Sequence, residues 1–130
     1  MALGLRKIGF NGKLLGYGRS EEALDRAVSR GLVDERTLDL DHATRDADLI
    51  VLAAPALASE QILRKILPAL NVPDGPIITD VASVKGNLFR AALETCGRFP
   101  SKLILGHPIA GSEKTGADAA RADLFNKHRV

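Results

Sequence analysis

The residues best placed to do chemistry lie in one stretch, Leu105-Gly106-His107-Pro108-Ile109-Ala110-Gly111-Ser112-Glu113-Lys114-Thr115-Gly116. An apolar run, Leu103 to Leu105, stops at a glycine and a histidine. Small, polar or charged residues follow, with glycines at 106, 111 and 116. A buried strand that ends in a loop has this pattern when the loop must approach a ligand closely, because glycine leaves room against the backbone. Histidine is the one side chain whose ordinary pKa lies near neutrality, so His107 at the mouth of a strand can act as acid or base. The plain alternative is a loop histidine that only hydrogen-bonds backbone. His42 and His128 lie in polar, charged segments and read as surface histidines.

Two further groups stand after apolar runs. Ser83 and Lys85 follow Ile77 to Val81. Ser83 reads as a helix N-cap whose hydroxyl can also face a crevice. Lys85, in the first turn of that helix, opposes the helix dipole and invites an anion. The anion is either a ligand or the carboxylate of Asp80, and the second choice makes the pair structural. Gly18-Arg19-Ser20 follows Lys13 to Tyr17, at a position where nucleotide-binding folds often carry an acid for the ribose 2′-hydroxyl. No acid stands there. Glycine leaves space, arginine brings positive charge and serine a hydrogen bond, a set that suits a 2′-phosphate and favours NADP over NAD. The same three residues also make an ordinary strand-to-helix turn with a capping serine.

The elements that must position these groups can be read from periodicity. Residues 2–9 look like the tail of a helix with Gly9 as its C-cap. Lys13 to Tyr17 reads as a strand. Ser20 caps a helix with Glu21 and Glu22 in its first turn, apolar positions at Ala23, Leu24, Ala27 and Val28, and Gly31 at its end. Leu38 to Ala43 fits neither period. Asp48 to Ala54 is a continuous apolar run, the mark of a strand buried on both faces, and Pro55 closes it. Ser59 to Leu70 is an amphipathic helix, Ile77 to Val81 a second buried strand, and Ser83 to about Thr95 a helix with Leu88, Ala92 and Leu93 inward. Lys102 to Leu105 is a further strand, Thr115 to Asp123 a short helix, and Val130 the start of one more strand. Strands alternating with helices, two of them apolar throughout, give an α/β doubly wound parallel sheet. In such sheets ligands bind beyond the carboxyl ends of the strands. That rule gathers Gly18-Arg19-Ser20, Ala54-Pro55, residues 80–85 and residues 106–114 along one crest.

Composition narrows the class. The 130 residues are 45% hydrophobic and 26% charged, which fits one globular domain. A net charge of +2, with 4% aromatic residues and no basic run, gives no footprint for nucleic acid. The single cysteine, Cys96, rules out an internal disulfide and fits a reducing compartment. No apolar run approaches the ~20 residues needed to cross a bilayer, and Arg6 and Lys7 break the pattern of a signal peptide. The expected location is cytoplasmic. The chain opens inside a helix rather than on a central strand and stops without a cap, so it reads as a segment of something larger.

Three stretches carry a resemblance: DADLIVLAAP (46–55), ITDVASVKG (78–86) and LGHPIAGSEKTGADAARADLF (105–125). With the last two in this order and at this separation, the chain resembles the nucleotide-binding domain of the prephenate/arogenate dehydrogenase family over nearly all of its length. The resemblance implies NAD(P)-dependent oxidative decarboxylation of prephenate or arogenate, in the making of tyrosine. It implies that His107 accepts the proton of the substrate ring hydroxyl, and that Ser83 orients this histidine and touches substrate and nicotinamide. It places Ser112 and Glu113 on the substrate side, Gly18, Arg19 and Ser20 at the adenosine ribose, and Ala54 and Pro55 along the cofactor, which is NADP or NAD. Lys85 belongs to the motif without an assigned role.

The family begins with a strand and a G-x-G-x-x-G turn that holds the pyrophosphate. It carries, after this domain, a helical domain that forms a homodimer and supplies basic residues for the substrate carboxylates. Neither is found in these residues, so the fold expected is a Rossmann-like domain lacking its first strand, with exposed sheet edges. The isolated 130 residues are expected to bind cofactor poorly and turn over little. The choice between prephenate and arogenate rests largely on residues outside this chain. Other readings are a non-catalytic remnant of such an enzyme and another nicotinamide-dependent dehydrogenase, though 3-hydroxyacid dehydrogenases use a catalytic lysine on a later helix. A phosphoacceptor receiver domain built on Asp80 lacks the acidic pair that such a fold needs after its first strand.

Overall fold

The computed structural model describes residues 1–110 and 116–129. These form two compact units, one of residues 1–45 and 109–129, the other of residues 46–108. All strand pairs in both are parallel, as the α/β reading requires.

The first unit runs α1 (Ala2–Lys7), β1 (Leu15–Tyr17), α2 (Glu21–Ser29), β2 (Glu35–Thr37) and α3 (Leu40–Thr44), and ends in a 3-10 turn at Ala117–Ala119. β1 and β2 pair with Leu15 opposite Glu35 and Tyr17 opposite Thr37. α2 begins where its sequence says it should. The Ser20 hydroxyl accepts the Ala23 amide at 3.3 Å, with Glu21 and Glu22 in the first turn. It stops at Gly31, whose φ of +63° lets the amides of Gly31 and Leu32 turn back to the carbonyls of Val28 and Ala27. Gly9, with φ +84°, ends α1 in the same way, so both glycines sit one residue beyond the cap itself. The segment that fitted neither period begins just after β2 and is mostly α3, which Asp39 caps by accepting the amides of Asp41 and His42. Of the helix expected over 115–123, residues 116–123 hold only the 3-10 turn, and Val130, like residues 111–115, lies outside the described residues.

Asp34 holds three parts of this unit. Its carboxylate accepts the Leu14 amide at 2.7 Å and pairs with Arg6 at 2.5 Å. Arg6 also donates to the carbonyls of Phe10 and Gly12. The Leu14 amide, and then Arg6, hold the Asp34 carboxyl below its ordinary range. A carboxylate depressed in the folded state stabilises above its unfolded pKa of about 4 and loses that contribution as pH falls through the folded value. The difference in thermal midpoint between the parent and Asp34→Asn is therefore expected to be present at pH 6 and to close below about pH 4. A difference that stays constant with pH would mean the carboxylate charge contributes nothing.

The second unit runs β3 (Leu49–Leu52), α4 (Ala56–Leu70), β4 (Ile77–Asp80), α5 (Gly86–Cys96) and β5 (Leu103–Ile104), with strand order β3-β4-β5. Its core is Leu52, Ile78 and Leu103 from the sheet, Leu63, Ile66 and Leu67 from α4, and Leu88, Ala91 and Ala92 from α5. Alanines at 91 and 92 let α5 pack closely on α4. Arg64 then ties the two helices, bonded to Glu60 at 3.0 Å and to Glu94 at 2.7 Å. Strand side chains alternate: Ile78 and Leu103 are buried, whereas Leu49, Ile77 and Ile104 are exposed. The expectation that these strands are buried on both faces is thus corrected within this unit: on the face away from the buried residues, Leu49, Ile77 and Ile104 are exposed while Val51 and Thr79 are half-buried. α4 starts at Ala56 rather than Ser59. Ser59 is an interior residue with no exposed surface, its hydroxyl donating to the Ala54 carbonyl at 2.9 Å. Among the described residues, no helix is long and apolar enough to cross a membrane.

Candidate active site

Parallel register fixes which strand ends adjoin in the second unit. Leu52 stands opposite Asp80, and Thr79 opposite Ile104. Three of the four groups expected at the crest therefore emerge side by side: Ala54-Pro55 after β3, residues 81–85 after β4, and Gly106-His107 after β5. The fourth, Gly18-Arg19-Ser20, follows β1 in the first unit and is described with that unit.

The turn after β3 is rigid for a local reason. Pro55 precedes the first residue of α4 with φ −52°, its carbonyl accepts the Ser59 amide at 2.9 Å, and the Ala54 carbonyl takes the Ser59 hydroxyl. Pro55 itself is exposed, presenting a smooth apolar surface at the strand end.

After β4 the chain departs from expectation. α5 begins at Gly86 with Lys85 in the N-cap position and no side-chain cap, so Ser83 is not the N-cap. It lies exposed in the loop before the helix. The reason is Asp80. Its carboxylate, with no exposed side-chain surface, accepts the Ala82 amide at 2.9 Å and the Lys85 ammonium, which draws residues 81–85 into a tight turn before α5 can start. The pairing of Lys85 with Asp80 is the structural alternative raised by the sequence. The Lys85 ammonium also donates to the Gly106 carbonyl, and Asp80 accepts the Gly106 amide at 3.2 Å. No hydrogen bond joins Ser83 to His107. The bonds between their two loops run through Asp80, Lys85 and Gly106.

His107 is exposed at the crest. Ser112 and Glu113 lie outside the described residues. A cavity of about 270 Å³ in the same unit is lined by Leu67, Pro76, Ile78, Arg98 and Lys102 among others. Pro76 and Lys102 precede β4 and β5, so this cavity opens at the opposite ends of the strands and is not part of the site.

In the first unit, Ser20 is the cap of α2, which bears out the capping reading of that turn. Gly18 backs onto Leu24, where an added Cβ would stand 3.4 Å from the leucine side chain. Arg19 is exposed. Among the described residues, Arg6, Arg26, Arg30, Arg36 and Arg121 of this unit are each ion-paired, whereas Arg19, Arg45 and Arg129 are not, and of these three only Arg19 stands next to the cap of α2. A cation without a partner beside a helix N-terminus fits the phosphate or ribose end of a dinucleotide.

Sequence reasoning missed Ser59, read as the start of a helix, and left undrawn the reach of Asp80 to Gly106. A carboxylate ending an apolar strand was the available signal for Asp80, because a buried acid requires partners.

Similarity to known proteins agrees with this architecture. The chain matches the family model described as prephenate dehydrogenase, nucleotide-binding domain, over residues 1–130. It is 35% identical over 125 residues to a prephenate dehydrogenase of Lactococcus lactis subsp. cremoris, covering 96% of this chain and 34% of that protein. Among solved structures it is similar to the prephenate dehydrogenase of Aquifex aeolicus in complex with hydroxyphenyl propionate and NAD+, at TM-score 0.83 and 32% identity over 98% of this chain and 43% of the other. It is also similar to a Synechocystis arogenate dehydrogenase, at TM-score 0.79 and 36% identity with the same coverage. The chain spans about a third of the length of the curated relatives it matches. Parallel α/β order, the crest residues and a match from end to end together show that the chain belongs to the prephenate dehydrogenase family, as its nucleotide-binding domain.

Proposed function

We propose that this chain is the cofactor-binding and catalytic-base domain of an enzyme that oxidatively decarboxylates prephenate or arogenate. The single observation that carries the reading is His107, exposed at the carboxyl end of β5 and one residue beyond a backbone fixed by Asp80 and Lys85. A neutral imidazole there accepts the proton of the substrate ring hydroxyl. A nicotinamide held along Ala54-Pro55 would supply the acceptor for the hydride on the same ring carbon. The carbon–oxygen bond becomes a carbonyl, carbon dioxide leaves the opposite ring carbon, and its bonding pair aromatises the ring by returning the carbonyl pair to the oxygen, which takes up a proton as a phenol. Ser83, exposed beside the same crest, is assigned by resemblance to orient His107 and meet the ligand. Ser112 and Glu113 are assigned by resemblance to the substrate side, and Ala54-Pro55 to the face along the cofactor. The partners proposed are this small-molecule substrate and, through regions beyond these residues, a second copy of the enzyme. The proposed location is the cytoplasm.

Gly18, Arg19 and Ser20 would hold the adenosine ribose, and Arg19, exposed and without an ion pair among the described residues, favours NADP over NAD. In a complete enzyme carrying this domain, prephenate- or arogenate-dependent reduction of the nicotinamide is expected, and its absence with both substrates would overturn the reading. Arg19→Ala is expected to weaken NADP binding about tenfold, equivalent to about 1.4 kcal/mol, and to leave NAD nearly unchanged. Titration of the parent showing tighter NAD than NADP binding would remove the preference.

A further inference from the structure

We propose that Asp80 is a positioning residue for His107, acting through Lys85 and the peptide groups on either side of Gly106. The inference rests on the reading of His107 as the base. β5 is two residues long, and its ladder with β4 ends at Thr79 opposite Ile104. Gly106 and His107 therefore extend past the sheet, and no strand pairing fixes them. A glycine immediately before the functional residue adds the freest backbone available. Side chains supply what the ladder does not.

One Asp80 oxygen accepts the Ala82 amide and the Lys85 ammonium, and the other accepts the Gly106 amide. Lys85 closes the ring by donating to the Gly106 carbonyl. That carbonyl shares its peptide plane with the His107 amide nitrogen. Both peptide planes flanking Gly106 are thus bonded, one to the carboxylate and one to the ammonium. The direction in which the chain delivers the His107 α-carbon follows from them. Asp80 has no exposed side-chain surface, whereas Lys85 keeps 30% of its own. A buried carboxylate is costly unless it is paired and hydrogen-bonded, and here every bond it makes fixes part of the crest.

The test uses Asp80→Asn, Lys85→Met and Lys85→Arg in a complete enzyme carrying this domain, with His107→Asn as reference. Asp80→Asn and Lys85→Met are expected to lower kcat at least tenfold, with KM for the cofactor within about twofold, in line with lost orientation of a base. Both are also expected to move the pH at which kcat falls on the acid side, and to speed hydrogen exchange of the Gly106 amide, which Asp80 accepts. Lys85→Arg should restore part of kcat and the pH profile. If Asp80→Asn does not fold, Lys85→Met, at a partly exposed position, carries the test. Lys85→Met retaining kcat and the pH profile, while His107→Asn loses turnover, would overturn the positioning role and leave the base intact. Retained turnover in His107→Asn would instead overturn the reading on which the inference stands.

Discussion

Replacing His107 by asparagine in a complete enzyme carrying this domain is expected to lower turnover by about 10²–10⁴-fold, the range expected for loss of a general base. Asparagine keeps a hydrogen-bonding group of similar reach but cannot take up the hydroxyl proton. The loss should therefore appear in kcat rather than in KM for the cofactor. Folding should be untouched, because the imidazole is exposed and lies outside the apolar core. Steady-state kinetics together with a thermal melt separate these effects. A fall of less than about tenfold, well below the general-base range, would remove His107 from the role of base.

Leu63→Ala is expected to produce the largest loss of stability, about 2–5 kcal/mol. Leu63 has no exposed surface and lies midway along α4, beside the α5 face built from Leu88, Ala91 and Ala92. Those alanines are too short to move into the space it would leave, so the cavity term adds to the lost transfer energy. The total stability of a domain is about 5–15 kcal/mol, so one such change removes a large part of it. Leu57→Ala is the internal control. It is on the same helix but 68% exposed, and a surface change of this kind shifts stability by no more than about 0.5 kcal/mol. Urea unfolding of the two variants distinguishes them by midpoint. Equal midpoints would contradict the placement of the core between the sheet and these helices.

Most of the framework is legible in the sequence where local chemistry and long-range packing agree. Ser20 caps α2 because a short hydroxyl followed by two acids satisfies amides and dipole at once. Leu49 to Leu52 is a strand because an uninterrupted apolar run has few other solutions, and Ile77 to Asp80 is one because its first three residues are β-branched. Failures occurred where two local rules competed. Ser59 reads as a helix start and Ser83 as a cap, yet Pro55 starts α4 four residues before Ser59, and the Asp80 turn delays α5 until Gly86. β2, Glu-Arg-Thr, has no apolar alternation to reveal it, and is a strand only because β1 pairs with it. The face bearing Leu49, Ile77 and Ile104 could not be assigned by composition, since an apolar run looks the same with one face covered or both. In the candidate site, the place of His107 at a strand end is legible from its own loop. The bonds that fix it are not, because Asp80 and Gly106 are 26 residues apart and the link exists only once β4 and β5 are paired.

The ring made by Asp80, Lys85 and Gly106 has a consequence for anyone altering specificity at this crest. Residues bonded into one network do not contribute independently, and coupling of about 0.5–3 kcal/mol is usual between them. Substitutions in 80–85 and in 106–107 should therefore fail to add, and a library that varies one loop against a constant partner would reject combinations that work together. For protein engineering, the two loops form a single unit of variation although 20 residues separate them in the chain.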